Sequence, residues 1–160
     1  MMASKNRGVG WYEISLPASP YQLKINNDRP SILEFHPGQI DWIIFHGQLE
    51  CDDFQSTTCR SATFVTLDNG QSWRKMLEYT SKCLFAADAK FNVSDVKTII
   101  CGSYSKKSES QNDPLFDRTQ DLVKSVDFFE STSNLLTGIL GFYFSDKFLI
   151  AAKVYFFLML

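Results

Sequence analysis

Short apolar runs broken by turn residues recur along most of the 160-residue chain. Segment 32–35 is apolar and stops at His36-Pro37-Gly38, a combination that ends a strand and turns it. Segment 42–45, Trp-Ile-Ile-Phe, follows at once with the β-branched and aromatic residues that strands favour. Segments 61–66 and 73–77 flank a compact Asp68-Asn69-Gly70 turn, and 83–86 and 97–101 supply two further strands. The polar stretch 103–117, with its Lys, Ser, Gln, Asn and Pro, predicts an exposed loop. Beyond it, 122–126, 139–144 and 148–154 predict three more strands, with Ser145-Asp146 turning between the last two. No long stretch carries a period of 3.6, although 116–129 would also pass for a weak helix. Many short strands joined by turns predict an all-β sandwich, barrel or propeller. Blocks 30–78 and 82–132 each read as strand, strand, polar connection, strand, turn. A period of about 50 residues is that of antiparallel four-stranded propeller blades.

Composition narrows the function classes. Hydrophobic residues make up 44% and charged residues 21%, so the chain is globular rather than disordered. The net charge is −2 and the cations are scattered, which leaves no basic face for nucleic acid. Residues 1–8 hold a basic stretch with no apolar run after it, predicting a disordered N-terminus and no signal peptide. The apolar tail from 148 is interrupted by Lys153 and is shorter than the roughly 18–20 residues of a membrane span. Its end, 155–160, reads as an apolar, truncated terminus.

Candidate chemistry is sparse. The four cysteines, Cys51, Cys59, Cys83 and Cys101, form no Cys-x-x-Cys, and with only two histidines a zinc spacing is absent. Four buried thiols in a reducing compartment and two disulfides in an oxidising lumen stand level. Asn92-Val93-Ser94 is an N-glycosylation acceptor sequence. His36 falls at a turn and His46 at a strand end, where structural roles are expected. The five arginines lack the setting of a sialidase cluster, and no nucleophile elbow is present. No carboxylate pair is placed on apposed strand ends by the pattern. Gly8-Val9-Gly10 lacks the preceding strand and the Lys of a phosphate loop. The expectation is a protein that is not an enzyme and needs no metal or cofactor.

One motif is specific. Thr66-Leu67-Asp68-Asn69-Gly70-Gln71-Ser72-Trp73 fits Ser/Thr-x-Asp-x-Gly-x-x-Trp, the Asp-box, at every defined position. Asp68 has a short carboxylate able to accept from turn amides. Gly70 supplies a positive φ that a Cβ resists. Thr66 suits a strand end and adds a hydroxyl, and Trp73 opens the return strand with an indole N–H in need of a partner. The motif builds a hairpin, and none of it requires catalysis.

Asp-boxes occur in sialidases, some glycosidases and the sortilin family of vacuolar protein sorting receptors. The flanking run Phe35-His36-Pro37-Gly38-Gln39-Ile40-Asp41-Trp42-Ile43-Ile44-Phe45 resembles the opening of a sortilin-type blade. The order that follows is also similar: Cys51 and Cys59, the Asp-box, Trp73-Arg74-Lys75-Met76-Leu77, then Cys83-Leu84-Phe85-Ala86 and Cys101. Over about 9–154 the chain resembles that family and, within it, the fungal receptors that carry carboxypeptidase Y to the vacuole. The resemblance implies disulfides Cys83–Cys101 and Cys51–Cys59. It also implies a glycosylated lumenal domain of the Golgi and endosomes that binds protein or peptide cargo such as vacuolar hydrolases.

Departures shape the rest of the expectation. Ser125-Val126-Asp127-Phe128-Phe129 keeps Ser and Asp but has Phe129 where Gly belongs and no Trp, which predicts a degenerate or differently shaped turn. The family domain is a closed ring of blades, followed by cysteine-rich modules, a membrane span and a sorting tail. This chain reads as about two blades and part of a third: an N-terminus at 1–8, a partial propeller at 9–154, and the apolar end. Cargo-contact residues carry over to none of its positions. A relic without function and a piece of an Asp-box glycosidase or sialidase are the alternatives. An open fragment exposes blade faces and strand edges, so association is expected of the isolated chain.

Overall fold

A computed structural model describes residues 1–4, 7–20, 32–50, 60–86, 95–104, 119–144 and 148–153. Among these, every regular element is a β-strand and every pairing is antiparallel. Cys51, Cys59, Asn92, the turn at Ser145-Asp146, most of the polar loop and the apolar end 155–160 lie outside the described residues.

The first sheet is centred on β5 (Ile43–Leu49) and β6 (Arg60–Thr66), in register from Ile43↔Thr66 to Leu49↔Arg60. β7 (Arg74–Glu78) flanks β6. The other side of β5 is shared by two short strands: β4 (Leu33–Phe35) opposite its first half and β3 (Ser19–Pro20) opposite Gly47 and Gln48. Pro20 is admissible because β3 is an edge strand. β5 and β6 are buried on both faces, which explains why their sequences run apolar rather than alternating cleanly. Phe45, Ala62 and Phe64 point to one side, against Leu16, Ala18, Leu33 and Trp73. A Cβ at Gly47 would lie 2.8 Å from the Phe45 ring and 3.0 Å from Ala18, so a glycine lets the N-terminal segment cross closely there.

Residues 1–3, expected outside the fold, are hydrogen-bonded into it. β1 (Met2–Ala3) pairs with β2 (Tyr12–Glu13), and the Met1 amino group donates to the Ile14 carbonyl at 3.0 Å.

The second sheet runs in the spatial order β12 (Leu149–Lys153), β11 (Ser133–Phe144), β10 (Gln120–Ser125), β9 (Ile99–Tyr104), β8 (Thr80–Phe85). One expectation needs correction: residues 120–125 are strand, paired on both sides, so the helical option for 116–129 fails there. β11 is shared between two neighbours, β10 pairing its first half up to Ile139 and β12 its second half from Ile139 to Phe144. The strands expected at 139–144 and 148–154 are thus antiparallel partners, as the opening of a third blade requires. β11 carries register shifts, and at Gly138 (φ 65°) its amide donates to the Asp121 carboxylate at 3.2 Å. Such a bulge bends a strand. Phe142, Leu149 and Ala151 pack on Ala86, Ile100, Leu122 and Ile139. Leu135, Leu136, Leu140, Tyr143, Phe148 and Ile150 remain exposed, and the expectation of association rests on this surface.

The two sheets stack face to face. Ile44, Val65 and Met76 of the first meet Cys83, Ile99, Cys101 and Phe128 of the second, with Trp42, Leu77 and Phe85 around them. The β8–β9 register sets Cys83 opposite Cys101, and the two are joined by a disulfide with a Cα separation of 4.1 Å. Both are fully buried in the seam. Successive antiparallel meanders stacked in this way form a fragment of a β-propeller.

Candidate functional site: two docked turns

The turn between β6 and β7 is built by side chains bonding to its own backbone. Thr66 Oγ1 donates to Asp68 Oδ1 at 2.7 Å and accepts from the Gly70 amide at 2.8 Å. Asp68 in turn accepts from the Ser72 amide at 2.9 Å and from the Ser72 hydroxyl at 2.5 Å. These donors hold the Asp68 carboxyl down at about 2, the Ser72 hydroxyl contributing most. Asn69 and Gly70 take φ of 61° and 86°, conformations that suit Asn and Gly. The hairpin expected of the motif is therefore the one observed, with Ser72 an added member that the motif does not name.

The turn between β10 and β11 repeats this network bond for bond. Ser125 Oγ donates to Asp127 Oδ1 at 2.7 Å and accepts from the Phe129 amide at 2.8 Å. Asp127 accepts from the Ser131 amide at 3.0 Å and from its hydroxyl at 2.5 Å, and its carboxyl likewise falls to about 2, chiefly through Ser131. The expectation of a degenerate or differently shaped turn is thus overturned. Phe128 and Phe129 occupy the left-handed region, at φ 57° and 68°. The signal in the sequence was the serine four residues after each aspartate, not the glycine.

Residues missed by motif reading join the turns across the sheets. Arg74, first residue of β7, donates to the Asp127 and Phe128 carbonyls at 3.1 and 2.8 Å and to Glu130 at 2.9 Å. Its guanidinium lies 5.3 Å from the Phe128 ring centroid. Trp42 meets the same ring edge-on at 5.2 Å. Trp73 works the other way: its indole donates to the Ser15 carbonyl at 3.1 Å and packs on Phe45.

Both histidines take structural places. His36 Nδ1 accepts from the Gly38 and Gln39 amides at 2.9 and 2.8 Å, so the ring proton sits on Nε2, which donates to the Val96 carbonyl at 2.8 Å. The imidazole thereby pins the Pro37-Gly38 turn to the second sheet. His46 is buried beside Thr63, whose hydroxyl bonds that of Thr80 at 2.6 Å. Burial pushes the His46 imidazole down to about 4, with the Cys83 backbone opposing and Lys82 adding to the shift. Among the described residues no three His, Cys, Asp or Glu gather as a metal site. No helix among them is long and apolar enough to cross a membrane.

Residues 1–155 match the family model Sortilin-Vps10, described as "Sortilin, neurotensin receptor 3". The chain is 28% identical over 148 residues to the vacuolar protein sorting/targeting protein 10 of Mycosarcoma maydis, covering 92% of this chain and 9% of the relative. It is 30% identical over 149 residues to the protein of that name from Schizosaccharomyces pombe, again 92% and 9%. For Schizosaccharomyces japonicus the figures are 27% over 152 residues, 94% and 10%. The chain spans about a tenth of the length of these curated relatives.

Proposed function

The chain belongs to the sortilin–Vps10 family, and from that premise we propose that it acts as cargo-binding propeller material of a vacuolar sorting receptor. Its site of action is the Golgi and endosomal lumen, and its cargo is protein, with vacuolar hydrolases as the class. The observation that carries the reading is the family match along nearly the whole chain, on two sheets with the same turn network. The reading is of a binding module and not an enzyme, since the relatives are named for sorting and targeting. A lumenal setting also supports the Cys83–Cys101 disulfide, which persists in oxidising compartments.

The test is removal of the coding segment from its host. The precursor of a vacuolar hydrolase is then expected outside the cell instead of in the vacuole. Unchanged sorting in a strain whose parent demonstrably makes the chain overturns the proposal. Endoglycosidase treatment of the native chain tests the location independently: modification at Asn92 increases mobility after treatment, and an unmodified chain argues against lumenal residence.

A further inference from the structure

The two sheets present the same aliphatic positions along one rim. Trp42 donates its amide to the Gln39 carbonyl at 3.1 Å, and Thr98 does the same to Asp95 at 3.1 Å, so Ile40 and Val96 occupy matching places before β5 and β9. Leu67 and Val126 match in the two turns, each following the Thr or Ser that organises the network. All four side chains are solvent-facing, with exposures of 87% for Ile40, 44% for Leu67, 42% for Val96 and 41% for Val126. They belong to one connected strip. Asn69 bonds Asp41 through backbone (3.0 Å) and side chain (2.7 Å), tying the Ile40 turn to the Leu67 turn. His36 crosses to the Val96 carbonyl, and Lys97 lies 6.0 Å from the Phe128 ring, tying the Val96 and Val126 turns to the strip. Single exposed aliphatics need no explanation, but recurrence at equivalent positions in adjoining sheets does.

Charge selects the partner. Asp41, Asp68, Asp95 and Asp127 lie along the strip against Lys97, while Arg74 and Glu130 offset each other as an ion pair and Arg74 also binds two carbonyls. An anionic membrane surface would be repelled by that excess of carboxylates. We propose that this rim is a docking surface for a protein segment that sets aliphatic side chains beside lysines or arginines. The aliphatic pair of each sheet supplies the contact area, and the surrounding carboxylates steer and select the cationic flank. The surface does not depend on the identity of any sorted cargo, so its failure and that of the receptor role are separable.

The full chain is titrated with a synthetic peptide alternating Leu and Lys, with its Leu/Glu counterpart, and with phosphatidylserine vesicles. The Leu/Lys peptide binds, and the other two do not. Affinity falls at least about tenfold in both the Ile40→Ser/Leu67→Ser and the Val96→Ser/Val126→Ser variants. Asp95→Asn and Glu130→Gln, which keep hydrogen-bonding shape, weaken binding less and flatten its salt dependence. Thermal melts of each variant establish that the fold persists, and the charge variants carry the test if a serine variant unfolds. Equal binding of both peptides, vesicle binding, or full affinity in the folded variants overturns the proposal.

Discussion

The turns at 66–73 and 125–132 share one hydrogen-bond network and differ in almost everything around it. In the first, a Cβ at Gly70 would lie 2.8 Å from the Ile14 side chain, and Trp73 bonds to the Ser15 carbonyl. Both of its signature residues therefore serve the segment that covers the first sheet. The second turn faces the first sheet instead, and there Phe128 is buried against Trp42 and Arg74. Two non-glycine residues in the left-handed region cost about 1–2 kcal/mol each. Burying a Phe side chain returns about 1.5–3 kcal/mol, and the aromatic contact with Trp42 adds about 0.5–1.5. The strain is of the same size as the docking that offsets it. What defines the turn is the hydroxyl, the carboxylate and the following serine, while Gly and Trp record what lies on top.

The widest separation between the turns is expected from Phe128→Ala, which leaves the strained backbone without its docking. A loss of about 3–5 kcal/mol is expected by chemical denaturation. A loss below about 1 kcal/mol would show that the ring is not what sustains the turn. Gly70→Val comes next, with strain at φ 86° and a clash with Ile14 together costing about 2–4 kcal/mol. Retained stability in that variant would mean that the Ile14 segment yields.

Acid should act on both turns alike. Asp68 and Asp127 ionise in the folded chain at about 2, below the ordinary 3.8. Their stabilisation is complete above about pH 4 and is lost as pH falls through about 2. His46, lowered to about 4 from 6.5, adds an earlier loss that starts near pH 6.5 and develops down to about 4. A melting-temperature scan should therefore fall in two stages. Asp68→Asn and Asp127→Asn should each shrink the lower stage, and an undiminished lower stage would place the acid sensitivity elsewhere. The smallest effect belongs to Phe129→Gly. Relief of strain and loss of a half-buried ring nearly cancel, so the change should stay within about 1 kcal/mol. A larger loss in denaturant titration would make Phe129 a second anchor.

The centre of the first sheet could be read from the chain because β5 and β6 are buried on both faces. Segments such as 42–45 and 61–66 left long β-branched and aromatic runs with turn residues at their ends. β1, β2 and β3 escaped because two-residue strands are too short to show alternation. Within the candidate site, Asp68 is legible through its complete motif, whereas at Asp127 the motif lacks its Gly and Trp and the organising Ser131 is not one of its defined positions. Arg74 was invisible, since its partners lie more than 50 positions away: 53, 54 and 56 residues along the chain.

The buried position of the Cys83–Cys101 bridge imposes an order of events on the making of this molecule. A disulfide arises by exchange, with an incoming oxidised sulfur drawn into line with an attacking thiolate. Once the first sheet has closed over the second, neither sulfur is open to a visitor from solvent. Oxidation must therefore come before the sheets meet, and the same closure later shields the bridge from reductant. Its cleavage by dithiothreitol should approach a ceiling rate as reductant is raised, the ceiling being the rate at which the sheets part. A cleavage rate that climbs in proportion to reductant without limit would show that the sulfurs can be reached while the seam stays shut.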